Sequence, residues 1–304
     1  MRVFVTGASG HIGSALVPDL LAAGHQVVGL ARSEASAVAL KSAGAEARRG
    51  SLDDLDVLRD AAAAADGVIH LAYKHDISFS GDYAGAAAAD LRAIEAMGAA
   101  LEGSGKPLVV TSGTLLLSYA APGRVATEDD GLPSGPRIDS ENAAVALAAH
   151  GVRSSVVRLA PSVHSSLDRH GFVPILIELA RKNGAAAYVG DGTSRWPAVH
   201  TLDAARLYRL ALESAPAGSR LHGAADEGVP FRAIAEAIGR GLGVSAVRVA
   251  ASDAEKHLGF LAAFAQLDNP TSSARTREVV RWRPTHPGLL ADIAEGHYFR
   301  GSNS

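Results

Sequence analysis

The 304-residue chain contains no cysteine, which excludes disulfides, thiolate nucleophiles and cysteine-ligated metals. It has no apolar run near about 18 residues, so we predict no membrane span. No block of Lys or Arg stands out at a net charge of −3, which argues against a nucleic-acid partner. Met1 precedes a charged residue and an apolar strand, so we expect no signal peptide and a cytoplasmic location. The 47% hydrophobic content predicts an ordinary globular protein of one large or two modest domains.

The first thirteen residues carry the strongest pattern in the chain. Arg2–Val5 predicts a short strand, and apolar residues recur at helical spacing after residue 14. Glycines spaced G-x-x-G-x-x-G lie between them; they permit a tight turn, close approach of a phosphate, and close packing of helix on strand. The N–H groups at the helix start would face a pyrophosphate. The sequence therefore predicts a dinucleotide site, and the alternative is a structural turn without a ligand. The predicted contacts here are Gly7, Ser9, Gly10, His11, Ile12 and Gly13.

The end of the second predicted strand indicates which dinucleotide binds. Gln26–Ala31 reads QVVGLA and is followed by Arg32, with no acidic residue before Glu34. An acid at this strand end selects NAD through the ribose 2′-hydroxyl, whereas an arginine can pair with the 2′-phosphate of NADP. We therefore predict NADP, with NAD as the alternative cofactor and a solvated surface arginine as the alternative role of Arg32.

Predicted strands and helices alternate through the first half of the chain, which favours an α/β fold built on a doubly wound parallel sheet. Further strands are predicted at 46–48, 67–72, 108–111 and 154–159, with helices at 35–43, 84–101 and 139–150 between them. We assign 1–160 to a dinucleotide-binding domain. Beyond Pro161 the alternation weakens, so 161–300 is assigned mainly to a smaller C-terminal substrate lobe that includes a helix at 253–264 and some segments returning to the core. Residues 301–304 are predicted to be a disordered tail.

The carboxyl ends of parallel strands meet at one edge of a sheet, where ligands bind. This rule places further cofactor contacts at the ends of the third to sixth strands, namely Ser51, Leu52, Leu71, Ala72, Tyr73, Thr111 and Pro161. His70, inside the fourth strand, is predicted to be a packed core histidine. Asp53 is predicted to cap the following helix. We predict no metal site.

These motifs together resemble the extended or atypical short-chain dehydrogenase/reductases of the NAD-dependent epimerase/dehydratase type. The resemblance spans nearly the whole chain and implies a Rossmann-type fold, hydride transfer with a nicotinamide cofactor, and a homodimer formed through helices 84–101 and 139–150. Its motifs are Thr6-Gly7-x-x-Gly10-x-x-Gly13, Val68-Ile69-His70-Leu71-Ala72, Thr111-Ser112, Arg158-Leu159-Ala160-Pro161, Gly190-Asp191-Gly192, Val199-His200, Asp203-Ala204-Ala205 and Val280-Arg281-Trp282-Arg283-Pro284.

The sequence departs from that family at its catalytic pair. The family uses a Tyr-x-x-x-Lys pair with a nearby Ser or Thr, and the matching positions here are Arg137 and Glu141. The chain contains no other Tyr-x-x-x-Lys. We predict that Ser112 supplies the hydroxyl, with Thr111 and Thr114 as alternates.

An arginine does not release a proton near neutral pH, but it can hold a developing oxyanion. One interpretation is a hydride-transfer enzyme with catalytic residues Ser112, Arg137 and Glu141, in which water, Tyr73, His75 or His200 supplies the proton. A second is a catalytically weak NADP-binding sensor in which Arg137 and Glu141 form an i,i+4 ion pair. A third is a cleft that binds another metabolite.

The expected substrate is a small, largely apolar carbonyl or hydroxyl compound. Tyr73 and Thr114 are predicted to contact it, and the resemblance places Trp196 and His200 near its pocket. A nucleotide sugar is the alternative, because its diphosphate would need cations. The cations available in the segment 162–195 are Arg169, Arg181, Lys182 and Arg195.

Overall fold

A computed structural model describes residues 1–300, apart from the side chains of Ser78 and Phe79. The predicted tail, 301–304, lies outside the described residues. Within them the chain forms twelve strands. These are β1 Arg2–Thr6, β2 Gln26–Ala31, β3 Glu46–Arg49, β4 Gly67–His70, β5 Pro107–Gly113, β6 Arg153–Leu159, β7 Ser162–His164, β8 Ala185–Val189, β9 Arg195–His200, β10 Ser219–Gly223, β11 Asp226–Pro230 and β12 Ser245–Val249.

Fourteen α-helices accompany the strands within the same residues. No helix of this described part is long and apolar enough to span a membrane. The helices are α1 His11–Ala22, α2 Glu34–Ser42, α3 Leu55–Ala63, α4 His75–Phe79, α5 Tyr83–Leu101, α6 Leu117–Ala120, α7 Ile138–Ala146, α8 Phe172–Asn183, α9 Thr201–Ser214, α10 Phe231–Leu242, α11 Ala254–Leu258, α12 Leu261–Ala265, α13 Ala274–Val279 and α14 Leu289–Ala294.

A seven-stranded parallel sheet forms the centre of the molecule, in the order β10-β6-β5-β4-β1-β2-β3. The strand order reverses between β1 and β4, and ligands of doubly wound sheets bind at such a switch point. Val3, Phe4 and Val5 are fully buried, as expected for a parallel strand covered on both faces. The predicted α/β doubly wound fold is confirmed.

Two apolar layers cover this sheet. One packs α1, α2 and α9 against it and includes Leu16, Leu207 and Trp282. The other packs α3, α5 and α7 and includes Ile94 and Met97. The two layers therefore cover both faces of the sheet.

A second core belongs to the C-terminal half and is built around Trp196 and Phe231, which are fully buried. It includes a three-stranded sheet, β11-β9-β7, and a parallel pair, β12-β8. Strand β10 and helix α9 lie in this half of the sequence but pack on the central sheet. The domain boundary near residue 160 stays a prediction.

One predicted helix is wrong. The segment 253–264 forms α11 and α12 instead of a single helix, because Gly259 between them has φ +54°. Such a backbone angle cannot continue a right-handed helix. The seventh strand of the central sheet, β10, is not among the predicted strands.

Candidate active site

The glycine turn between β1 and α1 is packed too closely for larger residues. Gly7 has φ +68°, and a Cβ added to it would lie 2.8 Å from the backbone nitrogen of Ala72. A Cβ on Gly13 would lie 2.2 Å from the carbonyl oxygen of Gly7. The turn therefore brings the end of β4 and the start of α1 against each other, as a phosphate-binding turn requires.

The start of α1 suits an anionic ligand. Its cap residue, Gly10, has no side chain with which to cap the helix. The first turn contains no acidic residue. The first N–H groups of a helix have no intrahelical acceptor, and they carry the positive end of the helix dipole. Ser9 and Gly10 are exposed beside them, and Ile12 packs against the core. These residues fit the pyrophosphate of a dinucleotide.

Arg32 follows β2 and extends into solvent. Its side chain is 78% exposed, and Nη1 lies 3.7 Å from Oδ2 of Asp76. The next residue, Ser33, uses its hydroxyl to cap α2, since it accepts the N–H of Ser36. The Arg32 guanidinium is therefore a weakly paired cation at the predicted ribose end of the cleft.

The acidic residues on the predicted adenine side of the cleft have different partners from those predicted. Asp54, not Asp53, is the residue that precedes α3, and its Oδ2 accepts both the N–H and the hydroxyl of Ser51. Asp53 instead pairs with Lys74 at 2.6 Å. Leu52 is buried in the core layer under α3. The helix-cap prediction for Asp53 is therefore wrong, because α3 begins at Leu55 and Asp54 occupies the cap position.

His70 is a core histidine, as predicted. Its Nε2 lies 3.1 Å from Oδ1 of buried Asp90, and its Nδ1 lies 2.7 Å from the hydroxyl of Thr6. The Thr6 oxygen also accepts the N–H of Ala72 at 3.2 Å. A neutral ring that donates from Nε2 satisfies all three contacts. The chain of bonds fixes the backbone at Ala72, opposite Gly7.

Arg137 lies at the entrance to α7 with a left-handed backbone, φ +63°. Strain of this kind in a non-glycine residue is concentrated at functional sites. Its Nη2 donates to the carbonyl oxygen of Thr111 at 2.9 Å, and its guanidinium lies 4.1 Å from the centre of the Tyr73 ring. The Tyr73 ring meets the His75 ring edge-on at 5.1 Å. Arginine, tyrosine and histidine therefore converge at the ends of β4 and β5.

One buried polar atom at this point, Nε of Arg137, has no hydrogen-bond partner among the described residues. A buried polar group without a partner is rare in folded proteins, and a ligand or ordered water normally satisfies it. The Arg137 guanidinium also acts on Asp90: burial opposes ionisation, but the His70 hydrogen bond and the Arg137 charge hold the pKa of Asp90 below its usual range. The buried hydroxyls of Ser112 and Ser140 face the carboxylates of Glu141 and Asp90, and each helps to lower the pKa of its carboxyl group.

Glu141 does not pair with Arg137, so the predicted i,i+4 ion pair is wrong. Its carboxylate accepts Nε of Arg158 at 3.0 Å and Nη2 at 2.5 Å, and Nε of Arg220 at 2.8 Å. Glu141 and Arg158 are both almost fully buried. Burial would raise the pKa of Glu141, but the Arg158 hydrogen bonds keep it below the ordinary value. The carboxylate is committed to two arginines and is not available as an acid or base.

Two hydroxyls at the end of β5 are already engaged. Thr111 Oγ1 donates to the carbonyl of His70 at 2.7 Å and lies 2.8 Å from the buried Tyr208 hydroxyl. Thr114 is fully buried and accepts the side-chain N–H of Asn269 at 3.2 Å. Ser112 is buried as well and faces the Glu141 carboxylate, so these contacts do not distinguish it from the two alternates. The Thr114 contact instead ties the C-terminal lobe to the end of β5.

Neither Trp196 nor His200 joins the Arg137 group. Trp196 is fully buried in the lobe core, where its Nε1 donates to the carbonyl of Phe264. His200 precedes α9, accepts the N–H of Leu202, and stacks on His286 at 4.6 Å. Burial and the charge of His164 lower the pKa of His200 to about 4. Both residues support the lobe rather than the predicted substrate contact. Pro161 links β6 to β7 and is half-buried.

His200 lies in a group of histidines and carboxylates close to α1. His164 donates to Asp292 at 2.9 Å, and His297 lies 3.1 Å from the other oxygen of that carboxylate. Ligand atoms of Asp292, Glu295 and His297 lie within 4.8 Å of one another. The two histidines already satisfy Asp292, and nothing in the arrangement requires an ion. His11 reaches the same region through Thr201.

Sequence reasoning missed the partners of the predicted residues. Arg158 stands inside an apolar strand, and this position by itself indicates a buried acidic partner. Asp90 is an acidic residue in an alanine-rich helix, and this position likewise indicates a buried partner. Asp168, 4% exposed, had no sequence signal, because its environment comes from three separate segments.

Comparison with known proteins identifies relatives along the whole chain. The model of the NAD dependent epimerase/dehydratase family matches residues 3–222. An uncharacterized protein of Schizosaccharomyces pombe is 46% identical over 301 residues, which is 98% of this chain and 100% of the relative. A 2-alkyl-3-oxoalkanoate reductase of Stenotrophomonas maltophilia is 28% identical over 233 residues, 74% of this chain and 69% of the relative.

The same fold is present in solved structures. A double mutant of dTDP-glucose 4,6-dehydratase from Streptomyces venezuelae, with NAD bound, superposes with a TM-score of 0.78. The alignment covers 99% of this chain and 98% of that chain at 21% identity. Similarity at this identity shows the shared fold alone.

Proposed function

The chain belongs to the NAD-dependent epimerase/dehydratase family, and from this premise we propose that it is an NAD(P)-dependent oxidoreductase that transfers hydride between NADP(H) and a small carbonyl or hydroxyl compound. The observation that carries the proposal is the position of Arg137. Its guanidinium lies at the ends of β4 and β5, held by the Thr111 carbonyl and the Tyr73 ring. A nicotinamide bound here supplies or accepts the hydride.

Arg137 provides the electrostatic part of this reaction. A guanidinium beside the substrate oxygen stabilises the negative charge that develops as a carbonyl is reduced. The carbonyl of Thr111 and the ring of Tyr73 hold the guanidinium, while Nε stays available. Ser112 donates a second hydrogen bond and orients the same oxygen. A proton then reaches the oxygen from Tyr73, His75 or water, in place of the missing family tyrosine.

The cations of the C-terminal lobe favour a small substrate over a nucleotide sugar. Arg195 is held by Asp268 through two bonds, Nε to Oδ1 at 2.9 Å and Nη2 to Oδ2 at 2.7 Å. Arg181 is paired with Glu178 on its own helix. Two of the four candidate diphosphate ligands are therefore already neutralised. The 2-alkyl-3-oxoalkanoate reductase relative supports a carbonyl substrate.

Arg32 is proposed to select NADP. Replacing Arg32 by alanine is expected to weaken NADPH binding about tenfold or more, because a charged hydrogen bond to phosphate contributes roughly 1.5–3 kcal/mol. NADH affinity should stay within about twofold, since NADH lacks the 2′-phosphate. Fluorescence titration of both reduced cofactors measures the difference. Arg48→Ala, at an exposed arginine of β3, is the matched control. Tighter NADH binding by the unmodified protein would contradict the NADP assignment.

The oxidoreductase function is tested by single turnover. The protein is mixed with NADPH, and oxidation at 340 nm is followed after adding members of a panel of 3-oxo esters, aromatic aldehydes and quinones. We expect reduction of at least one apolar carbonyl and no reaction with UDP-glucose or dTDP-glucose. Tight NADPH binding without oxidation by any of them would support the sensor interpretation instead.

A further inference from the structure

His11 connects the glycine turn to the C-terminal lobe. Its Nε2 lies 2.8 Å from the hydroxyl oxygen of Thr201. This hydroxyl donates its proton to the carbonyl of His164 at 3.1 Å and accepts the hydroxyl proton of Ser165 at 2.8 Å. The Thr201 oxygen can therefore only accept from His11, so Nε2 carries the proton of the neutral ring.

The other ring nitrogen of His11 faces a carboxylate. Nδ1 lies 3.9 Å from Oδ1 of Asp168, whose side chain is 1% exposed. Asp168 is fixed by the N–H of Gly171 at 2.8 Å and the hydroxyl of Tyr298 at 3.4 Å. Since Nε2 already holds the proton of the neutral ring, Nδ1 presents a lone pair toward the carboxylate. One additional proton, held by either residue, removes the electrostatic repulsion between the Nδ1 lone pair and the carboxylate.

The two residues face each other at 3.9 Å in a buried setting, so a proton on one changes the electrostatic surroundings of the other. Burial raises the pKa of Asp168 to about 6. Burial and the nearby histidines lower the pKa of His11 to about 4. Without an anion nearby, the pair holds its additional proton below about pH 6 and loses it above. The other titratable groups that face the pair are His164 on β7, His170 before α8, His200 at the end of β9, and Tyr298 near the C-terminus.

We propose that His11 and Asp168 form a one-proton pair belonging to the pyrophosphate site, and that dinucleotide binding draws a proton into it. This inference rests on the proposed function, because it needs a dinucleotide at the start of α1. The negative charge of a pyrophosphate stabilises a protonated His11 ring and destabilises an ionised Asp168 carboxylate, so both effects favour proton uptake. The protonated ring then lies between the cofactor turn and the lobe.

The thermodynamic linkage between proton binding and dinucleotide binding gives the sign of the pH dependence of dinucleotide affinity. A ligand that raises the proton affinity of a group binds more tightly as that group becomes protonated. Dinucleotide affinity is therefore expected to rise about three- to tenfold from pH 8 to pH 6, with uptake of roughly half a proton near pH 7. Isothermal titration calorimetry with NAD, in phosphate and in Tris buffers of the same pH, measures the uptake directly. NAD is the probe because the 2′-phosphate of NADP itself titrates near about pH 6.

Two variants test whether the proton taken up on dinucleotide binding is held by His11 and Asp168. Asp168→Asn, which keeps the side-chain shape, and His11→Phe should both abolish the uptake and flatten the pH dependence, whereas His150→Gln, at an exposed histidine that does not face the pair, should keep both. NADP is titrated in parallel, and the uptake remaining in Asp168→Asn gives the contribution of its 2′-phosphate. NAD binding without proton uptake, or uptake unchanged in both variants, would overturn the pair alone. Failure of the unmodified protein to bind either dinucleotide would overturn the proposed function and the pair together.

Discussion

Replacing Arg137 by alanine is expected to lower kcat about 10²- to 10³-fold, the usual effect of removing one preorganised oxyanion donor. The guanidinium is held by the Thr111 carbonyl and the Tyr73 ring, and its Nε has no partner. Its interaction strengthens as negative charge develops on the substrate oxygen, so KM should change little. Single-turnover oxidation of bound NADPH, with a carbonyl compound identified in the panel, measures the rate of this step.

Two further variants identify the origin of the Arg137 effect. Arg137→Lys keeps the charge but loses the planar fork, so we expect partial recovery of the rate. Arg240→Ala, at an exposed arginine at the end of α10, should leave the rate unchanged. NADPH affinity is measured for each protein by fluorescence, because a loss of binding would mimic a loss of catalysis. An Arg137→Ala protein that binds NADPH and turns over at the unmodified rate would refute the electrostatic role.

Replacing Glu141 by alanine is expected to lower the free energy of unfolding by about 3–5 kcal/mol, because it leaves the Arg158 guanidinium buried without its counter-charge. Arg158 is 1% exposed, and among the described residues its remaining side-chain partner is His222, at 3.2 Å. Chemical unfolding in urea, followed by circular dichroism, measures the change. Activity should fall only in proportion to the folded fraction, since the Glu141 carboxylate is committed to Arg158 and Arg220.

An exposed ion pair provides the matched control. Glu178→Ala breaks the pair with Arg181 on the surface of α8, and such pairs contribute at most about 1 kcal/mol. The pH dependence gives a second check. Because the pKa of Glu141 is lowered in the folded protein, its stabilisation is present above its unfolded value of about 4.3 and is lost as the pH falls through the folded value. Equal costs for the two substitutions at pH 7 would contradict a stabilising role for the buried pair.

The sequence by itself determined six of the seven strands of the central sheet and the glycine turn. Strand, glycine turn and helix are consecutive between residues 2 and 22, so local spacing suffices to predict them. The same holds for Arg32, which directly follows β2. Buried parallel strands such as β4 are also recognisable in the sequence as continuous apolar runs. The fold class was therefore predictable without any long-range contact.

Only the tertiary structure decided what the predicted polar residues do. Arg137 and Glu141 are four residues apart, yet one turns to Thr111 and Tyr73 while the other turns to Arg158 and Arg220. A hydrogen bond is directional and depends on which distant segments meet, so sequence spacing could not assign these partners. The same reason explains Trp196, which fills the lobe core. It also explains Asp168, whose environment combines the glycine turn, the start of α8 and the C-terminal segment.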